Sequence, residues 1–236
     1  MSRIKNLALA ALFACGMTAN AQSVQSTTPV TSGWQSVWFN WNKSKVKSDY
    51  KEFNAIKFNQ LSLGYSRAFS VSRDLPLFVE GGLGVQYSYD KETIKSNETD
   101  NVYHTYKYKV FSAVAPAHLL YRWDIPSSKL SLMPFVGLNF RFNIVGRRRI
   151  EAAQIGENSI MDFGKKSCDI FENYNDSYSE IYNNKAWNRF QWGWDFGVKL
   201  QYDKRYTIGL SWGREFNDFA QNSKIRSRAI TLEYAF

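Results

Sequence analysis

The sequence predicts an all-β fold, specifically an eight-stranded antiparallel up-and-down transmembrane β-barrel. Three observations predict it. The first is the parity of "FQWGWDFGVKLQYDKRYTIGLSW", Phe190 to Trp212. Phe190, Trp192, Trp194, Phe196, Val198, Leu200 and Tyr202 share one face, and Gln191, Gly193, Asp195, Gly197, Lys199 and Gln201 share the other. A period of two is the signature of a strand. A water-soluble barrel would turn the apolar set inward. Trp and Phe would then crowd a narrow lumen, and glycine and charge would cover the outside. The opposite assignment needs an apolar solvent outside, and a lipid bilayer is one. The second observation is that short and long connections alternate along the chain. The third is composition: aromatics make up 17% of the residues, with 8 Trp, 14 Tyr and 17 Phe, as two interfacial aromatic belts would require. Helical spans are not the answer. Mean hydropathy is −0.42, and no stretch approaches the roughly 18 consecutive apolar residues a transmembrane helix needs.

The elements follow in order. Arg3 and Lys5 precede an apolar run from Leu7 to Ala14, and Ala19-Asn20-Ala21 is an A-x-A site, so residues 1–21 read as a cleaved signal peptide. The rival is a lipoprotein signal at Leu12-Phe13-Ala14-Cys15, which Phe13 fits poorly. Cleavage removes Cys15 and leaves Cys168 alone, so the mature chain has no internal disulfide. Cys168 reads as an incidental loop residue, with a reactive thiol or an intermolecular link as the alternatives. Cleavage also removes two positive charges, leaving 28 Lys+Arg against 21 Asp+Glu, or +7. Export argues against a nucleic-acid partner and points the basic residues toward anionic lipid head groups or solvent. Residues 22–32, "QSVQSTTPVTS", read as a short periplasmic tail.

From Gly33 to Phe236 strands and punctuation alternate. The first strand, about 33–43, sets Val37, Phe39 and Trp41 against Ser36 and Asn40. The second, about 56–70, sets Leu61, Leu63 and Tyr65 against Gln60, Ser62, Gly64 and Ser66. The third, about 76–90, sets Leu77, Val79, Leu83, Val85, Tyr87 and Tyr89 against Glu80, Gly82, Gly84, Gln86 and Ser88. The fourth, about 104–123, is least regular: Tyr106, Tyr108, Val110 and Val114 share a parity that Phe111, Leu119 and Tyr121 break. A bulge is expected at Pro116, which lacks a ladder donor. The fifth, about 130–146, sets Leu130, Leu132, Val136, Leu138, Phe140, Phe142 and Ile144 against Ser131, Gly137, Asn139, Arg141 and Asn143. The sixth and seventh are the stretch quoted above. The eighth, about 224–236, sets Ile230, Leu232, Tyr234 and Phe236 against Ala229, Thr231, Glu233 and Ala235.

The gaps at 71–75, 124–129 and 203–205 are short. Those at 44–55, 91–103, 147–187 and 217–223 are mostly longer, as short periplasmic turns and longer external loops would be. In hydrocarbon every backbone N–H and C=O needs an internal partner, so the first strand must pair with the eighth. The lumen of eight strands is just wide enough for side chains to fill. Parity sends Glu80, Arg141, Asp195, Lys199, Glu215 and Glu233 into it, where acids and bases can neutralise one another as a structural charge network. Lys107 and Lys109 join them if the fourth strand keeps its register. A narrow ion or solute path is the alternative use of the same lumen.

The cleaved signal, eight alternating strands, tight turns and terminal "AITLEYAF" resemble small outer-membrane β-barrel proteins, in particular the PorT-like outer-membrane β-barrel family, with the architecture of OmpA and OmpX. The resemblance covers about residues 33–236. It implies insertion by the barrel-assembly machinery, with Phe236 as the terminal assembly signal. It implies no single activity, because fold does not fix function. Arg147, Arg148 and Arg149 open the external loop at 147–187 and are placed to contact lipopolysaccharide phosphates, since guanidinium groups bind phosphate bidentately. The same loop, through "FENYNDSYSEIYNNKAW", has the composition of an adaptable contact surface. Chemistry is otherwise sparse. His104 and His118 lie in no Ser/His/acid motif, no His/Cys set has metal-ligand spacing, and no Gly-rich loop suits a nucleotide. The expectation is an integral outer-membrane protein without catalysis, cofactor or metal. Its role would be structural or surface-interacting, a small-solute channel comes second, and a lipid-modifying enzyme using His104 comes third.

Overall fold

In a computed structural model, residues 33–49, 56–72, 74–95, 102–155, 160–172, 186–220 and 222–236 are described. The signal peptide and tail expected at 1–32 lie outside them, as do residues 173–185 of the long loop. The described residues form strands: β1 (Gln35–Ser48), β2 (Lys57–Ser70), β3 (Leu77–Lys95), β4 (Val102–Tyr121), β5 (Trp123–Asp124), β6 (Leu130–Ile155), β7 (Ile160–Asp169), β8 (Phe190–Tyr202), β9 (Tyr206–Glu215) and β10 (Ser223–Ala235). Eight of them, β1, β2, β3, β4, β6, β8, β9 and β10, close a ring of antiparallel neighbours, sealed where β1 pairs β10 from Ser36↔Ala235 to Ser48↔Ser223. Closure leaves no ring strand with an open edge in the bilayer, which is what hydrocarbon demands.

Lipid-facing residues follow parity. Val37, Phe39, Trp41, Leu63, Val85, Phe142, Trp192, Trp194, Phe196, Ile208, Trp212, Ile230 and Leu232 are all exposed, and Leu83 reaches 72%. Water would penalise such a band, whereas acyl chains solvate it at no cost. Among the described residues no helix is long and apolar enough to cross a membrane, which says nothing about crossing by strands.

The turns at one end are tight. Tyr202 and Tyr206 pair across Asp203, Lys204 and Arg205. Asp203 and Lys204 both take positive φ, at 51° and 59°, and the Arg205 N–H donates to the Tyr202 carbonyl at 3.0 Å. Two left-handed central residues make a primed turn, whose twist matches that of the strands. The first and last strands end beside this turn, where the Phe236 N–H donates to the Gln35 carbonyl.

Two features of the fourth and fifth strands differ from expectation. β4 keeps one parity from end to end: Tyr106, Tyr108, Val110, Ser112, Val114 and Leu120 are buried, while Phe111 and Leu119 face out. Only the chemistry of the inward residues changes along it. The bulge lies not at Pro116 but in β6, where Phe111 pairs Val145 and Ser112 pairs Asn143, so Ile144 is extra. Ile144 and Val145 both face outward as a result. Pro116 still marks a gap, because β3 pairs Ala117 and then Val114 with nothing between.

The third difference is the segment 147–187. It is not one loop. β6 runs on to Ile155, and β7 returns antiparallel against it from Ile155↔Ile160 to Arg147↔Asp169. β8 takes the same side of β6 lower down, from Phe142 to Leu130. β3, β4, β6 and β7 thus continue beyond the lipid-facing belt as a four-stranded sheet.

Inside the ring, Trp38 lies flat over β2 and β3, where only glycine fits. A Cβ on Gly64 would meet the Trp38 ring at 2.2 Å and the Leu83 carbonyl at 2.5 Å, and one on Gly84 would meet the same ring at 2.6 Å. Gly64→Val is therefore expected to lower stability by about 1–3 kcal/mol. The Gly81→Ala control, whose Cβ meets nothing within 4 Å, is expected to change it little. Urea unfolding followed by Trp fluorescence in detergent micelles checks both, and equal midpoints would refute the packing argument.

Candidate functional site

The lumen is layered, and each layer comes from inward positions of several strands. At the short-turn end Phe78, Leu120 and Met133 are almost wholly buried. Above them sits an ionic cluster. The Lys199 ammonium donates to Glu80 Oε2 at 2.7 Å and to Glu233 Oε2 at 2.9 Å. Ser66 donates to Glu80 at 2.7 Å, and Ser36 to Glu233 at 2.5 Å. His118 lies between two acids, with Nε2 3.2 Å from Asp195 and Nδ1 3.7 Å from Glu80, and its ring leans on Phe135 at 4.7 Å. Further along, Arg141 donates to Glu215 and Gln191. The six charged residues assigned inward by parity therefore fall into two groups. Glu80, Asp195, Lys199 and Glu233 form one, and Arg141 and Glu215 the other.

His118 was not foreseen in this cluster, although its parity with Val110, Val114 and Leu120 could have placed it there. Lys107 and Lys109 must be corrected. Lys109 is exposed on the outer face, and Lys107 pairs Glu151 at 2.7 Å outside the lumen. Their odd positions lie opposite the buried Tyr106, Tyr108 and Val110.

The long-loop end of the lumen is apolar, which parity alone did not disclose. Val46, Ile56, Phe58, Tyr106, Tyr108, Val110, Ile170, Phe171, Trp187, Phe219, Ala220 and Ile225 form one buried cluster. Trp187 stacks on Tyr108 at 5.4 Å and meets Phe219 at 4.4 Å, and Phe219 meets Phe58 edge-on at 5.9 Å. Backbone bonds knit the inserted pieces together: Trp187 N–H to the Ile170 carbonyl and Asn188 N–H to the Phe219 carbonyl, both at 2.8 Å. Burial pushes the Tyr108 hydroxyl's pKa up, so this phenol stays neutral within the cluster.

The remaining expected residues are spread over the rim. Successive residues of a strand face opposite ways, so Arg147 and Arg149 are exposed outside while Arg148 sits on the inner side of β6 opposite Tyr108. Arg149 contacts Glu151 at 3.0 Å. Cys168 is a free thiol on β7 rather than in a loop, 3.8 Å from the Arg148 carbonyl. His104 stands 6.5 Å from the Tyr106 ring. Phe236 is exposed at the short-turn edge of the β1–β10 seam, 6.5 Å from the Tyr65 ring. Among the described residues no group of three His, Cys, Asp or Glu could hold a metal ion.

A closed antiparallel ring of eight strands, an aliphatic and aromatic belt outside and ion pairs inside together define an integral outer-membrane β-barrel. By the rule for this class, the short-turn end is periplasmic and the long-loop end external. No protein-family model and no curated protein matches the chain. Among solved structures it is similar to Ail, the attachment invasion locus protein of Yersinia pestis, in complex with the heparin analogue sucrose octasulfate. Identity is 14%, over 87% of this chain and 100% of that one, with a TM-score of 0.37. It is similar to Neisserial surface protein A at 12% identity, over 86% of this chain and 97% of that one, with a TM-score of 0.40. It is also similar to the N-terminal β-barrel domain of Pseudomonas aeruginosa OprF at 11% identity, over 87% and 100%, with a TM-score of 0.32. Likenesses at this level carry no functional argument, and the class rests on the chain's own geometry.

Proposed function

We propose that this barrel serves the outer membrane as a structural and surface-interaction protein, without solute conduction or catalysis. One observation carries the reading: among the described residues, buried side chains lie across the lumen at three levels. Phe78, Leu120 and Met133 close the periplasmic side, the Lys199 cluster bridges the middle, and the Trp187–Phe219 cluster closes the outside. Ion passage would have to cross the apolar side chains at both levels, where an unpaired charge is costly. The contact region is the external sheet, whose cross-strand row Glu92, Tyr106, Ile150 and Lys166 spans all four strands.

Catalysis finds no support in the site. His118 has acids and an aromatic ring as neighbours, and no hydroxyl or thiol nucleophile is recorded beside it among the described residues. Kinship with the PorT-like group rests on strand pattern, tight turns and the terminal aromatic alone. Assembly through Phe236 rests on its exposed ring beside the β1–β10 seam. The purified protein is expected to migrate differently before and after boiling, and to show no unitary current steps in planar bilayers. Reproducible steps would favour the channel reading. For the enzyme reading, an altered lipid A profile in a His104→Ala strain would be the supporting result.

A further inference from the structure

The strand register gathers cations that are scattered in the sequence. Lys57 pairs Lys45, Lys45 pairs Arg226, and Arg226 pairs Arg214, giving four basic residues side by side on four adjacent strands. Their parity is that of Leu61, Trp41, Ile230 and Trp212, so all four stand on the outer wall. On the strands next to β2, Lys91 of β3 pairs Lys107 and Lys107 pairs Arg149, again on the outer wall. On β1, β2, β3, β4, β6 and β10 the basic residues lie beyond the lipid-facing side chains, and Arg214 of β9 stands at the belt's edge opposite Trp194. Two to four residues separate them from Trp212, Ile230, Trp41, Leu61, Tyr87, Phe111 and Val145, or roughly 7–14 Å along the strands.

Like charges directly opposite one another destabilise a sheet. In the second row Glu151 relieves the strain, lying 2.7 Å from Lys107 and 3.0 Å from Arg149. In the first, Asp90 accepts the Lys57 backbone N–H at 3.1 Å from the inner side. Among the described residues, no ion pair is formed by Lys45, Arg226 or Arg214. These three cations, held together at the membrane boundary, are thus open to anions from their surroundings.

We propose that this basic collar binds phosphorylated glycolipid of the outer leaflet, its Lys and Arg heads meeting lipid phosphates while the chains below pack on the apolar belt. Two facts select a lipid over a soluble polyanion. The cations point sideways out of the wall rather than up from the mouth, and they stand on the same outer face of the strands as the belt. Lys43 shows the geometry, its ammonium lying 5.1 Å over the ring of the belt residue Trp41. The inference does not depend on whether the lumen conducts.

The test uses the full-length mature protein in detergent, with native mass spectrometry counting bound diphosphoryl lipid A. The triple variant Lys45→Gln/Arg214→Gln/Arg226→Gln is expected to bind at least tenfold more weakly, since each basic residue near an anionic surface contributes roughly fivefold. Lys45→Arg should bind like the parent. A second triple variant, Lys129→Gln/Lys204→Gln/Arg205→Gln, removes equal charge at the periplasmic turns and should also bind like the parent. Heat-modifiability confirms that each variant folds. The proposal is overturned by equal binding in the collar variant, by equal loss in the periplasmic variant, or by undiminished binding of dephosphorylated lipid A. It is also overturned if inorganic phosphate or soluble heparin binds the collar as tightly as the lipid does.

Discussion

Replacing Lys199 by Met is expected to destabilise the barrel by about 3–5 kcal/mol. The ammonium is shared by Glu80 and Glu233, at 2.7 and 2.9 Å, and all three side chains are nearly devoid of solvent. Met fills similar volume, so the loss is electrostatic rather than one of packing. Two buried carboxylates would be left facing each other, with hydroxyl donors from Ser66 and Ser36 but no cation at that point. His118 could relieve Glu80 only in part, from 3.7 Å. Adding Glu80→Gln and Glu233→Gln to Lys199→Met should recover most of the loss, because it removes the uncompensated charges. Urea unfolding of the refolded protein measures all three. Equal stability of Lys199→Met and the parent would show that the cluster is hydrated and contributes little.

Truncating Trp187 and Phe219 to Ala is expected to loosen the external cap while the membrane-spanning ring survives. Each substitution removes a large buried aromatic, a loss of about 3–5 kcal/mol for Phe or Trp in a packed core. The two rings touch one another and bridge Tyr108 of β4 to Phe58 of β2. The loss falls on the segments around 170–172, 186–189 and 216–220, so these should become open to protease added outside intact vesicles. The apolar layer at Phe78, Leu120 and Met133 is untouched, so the double variant should still pass no current. Conduction should begin only when Phe78 and Leu120 are made small as well. Current through the Trp187→Ala/Phe219→Ala variant alone would mean that the outer cap is the sole seal. Proteolysis unchanged from the parent would mean that the cap is not held by these rings.

Much of the architecture was legible in the residues. The parity of Phe190 to Trp212 and of Leu130 to Phe142 fixed which rings meet lipid, because a two-residue period with one apolar face leaves a single register that buries nothing in the wrong solvent. The inward charges were legible for the same reason. Parity misled where the strands leave the membrane and their apolar face turns inward, against an outer face of Lys57, Lys107 and Lys109. At Phe58, Tyr108 and Val110 it could not tell an inner core from a lipid face, and Val46 reads as part of a connection. It also failed for Arg147 to Arg149, read as a loop because a run of like charge looks solvated, when β6 and β7 extend the sheet through it.

What the sequence by itself determined is which face of each membrane-spanning stretch meets lipid, and hence a barrel with lipid outside and paired charge inside. That information is local, carried by neighbours two residues apart. The tertiary structure alone decided what lies opposite what: Trp38 over Gly64 and Gly84, Lys199 between acids from β3 and β10, Trp187 folded into the mouth, and Lys57, Lys45, Arg226 and Arg214 abreast. Those meetings depend on register and on closure of the ring. They join residues up to 197 positions apart, as in Ser36 and Glu233, and no period along the chain encodes them.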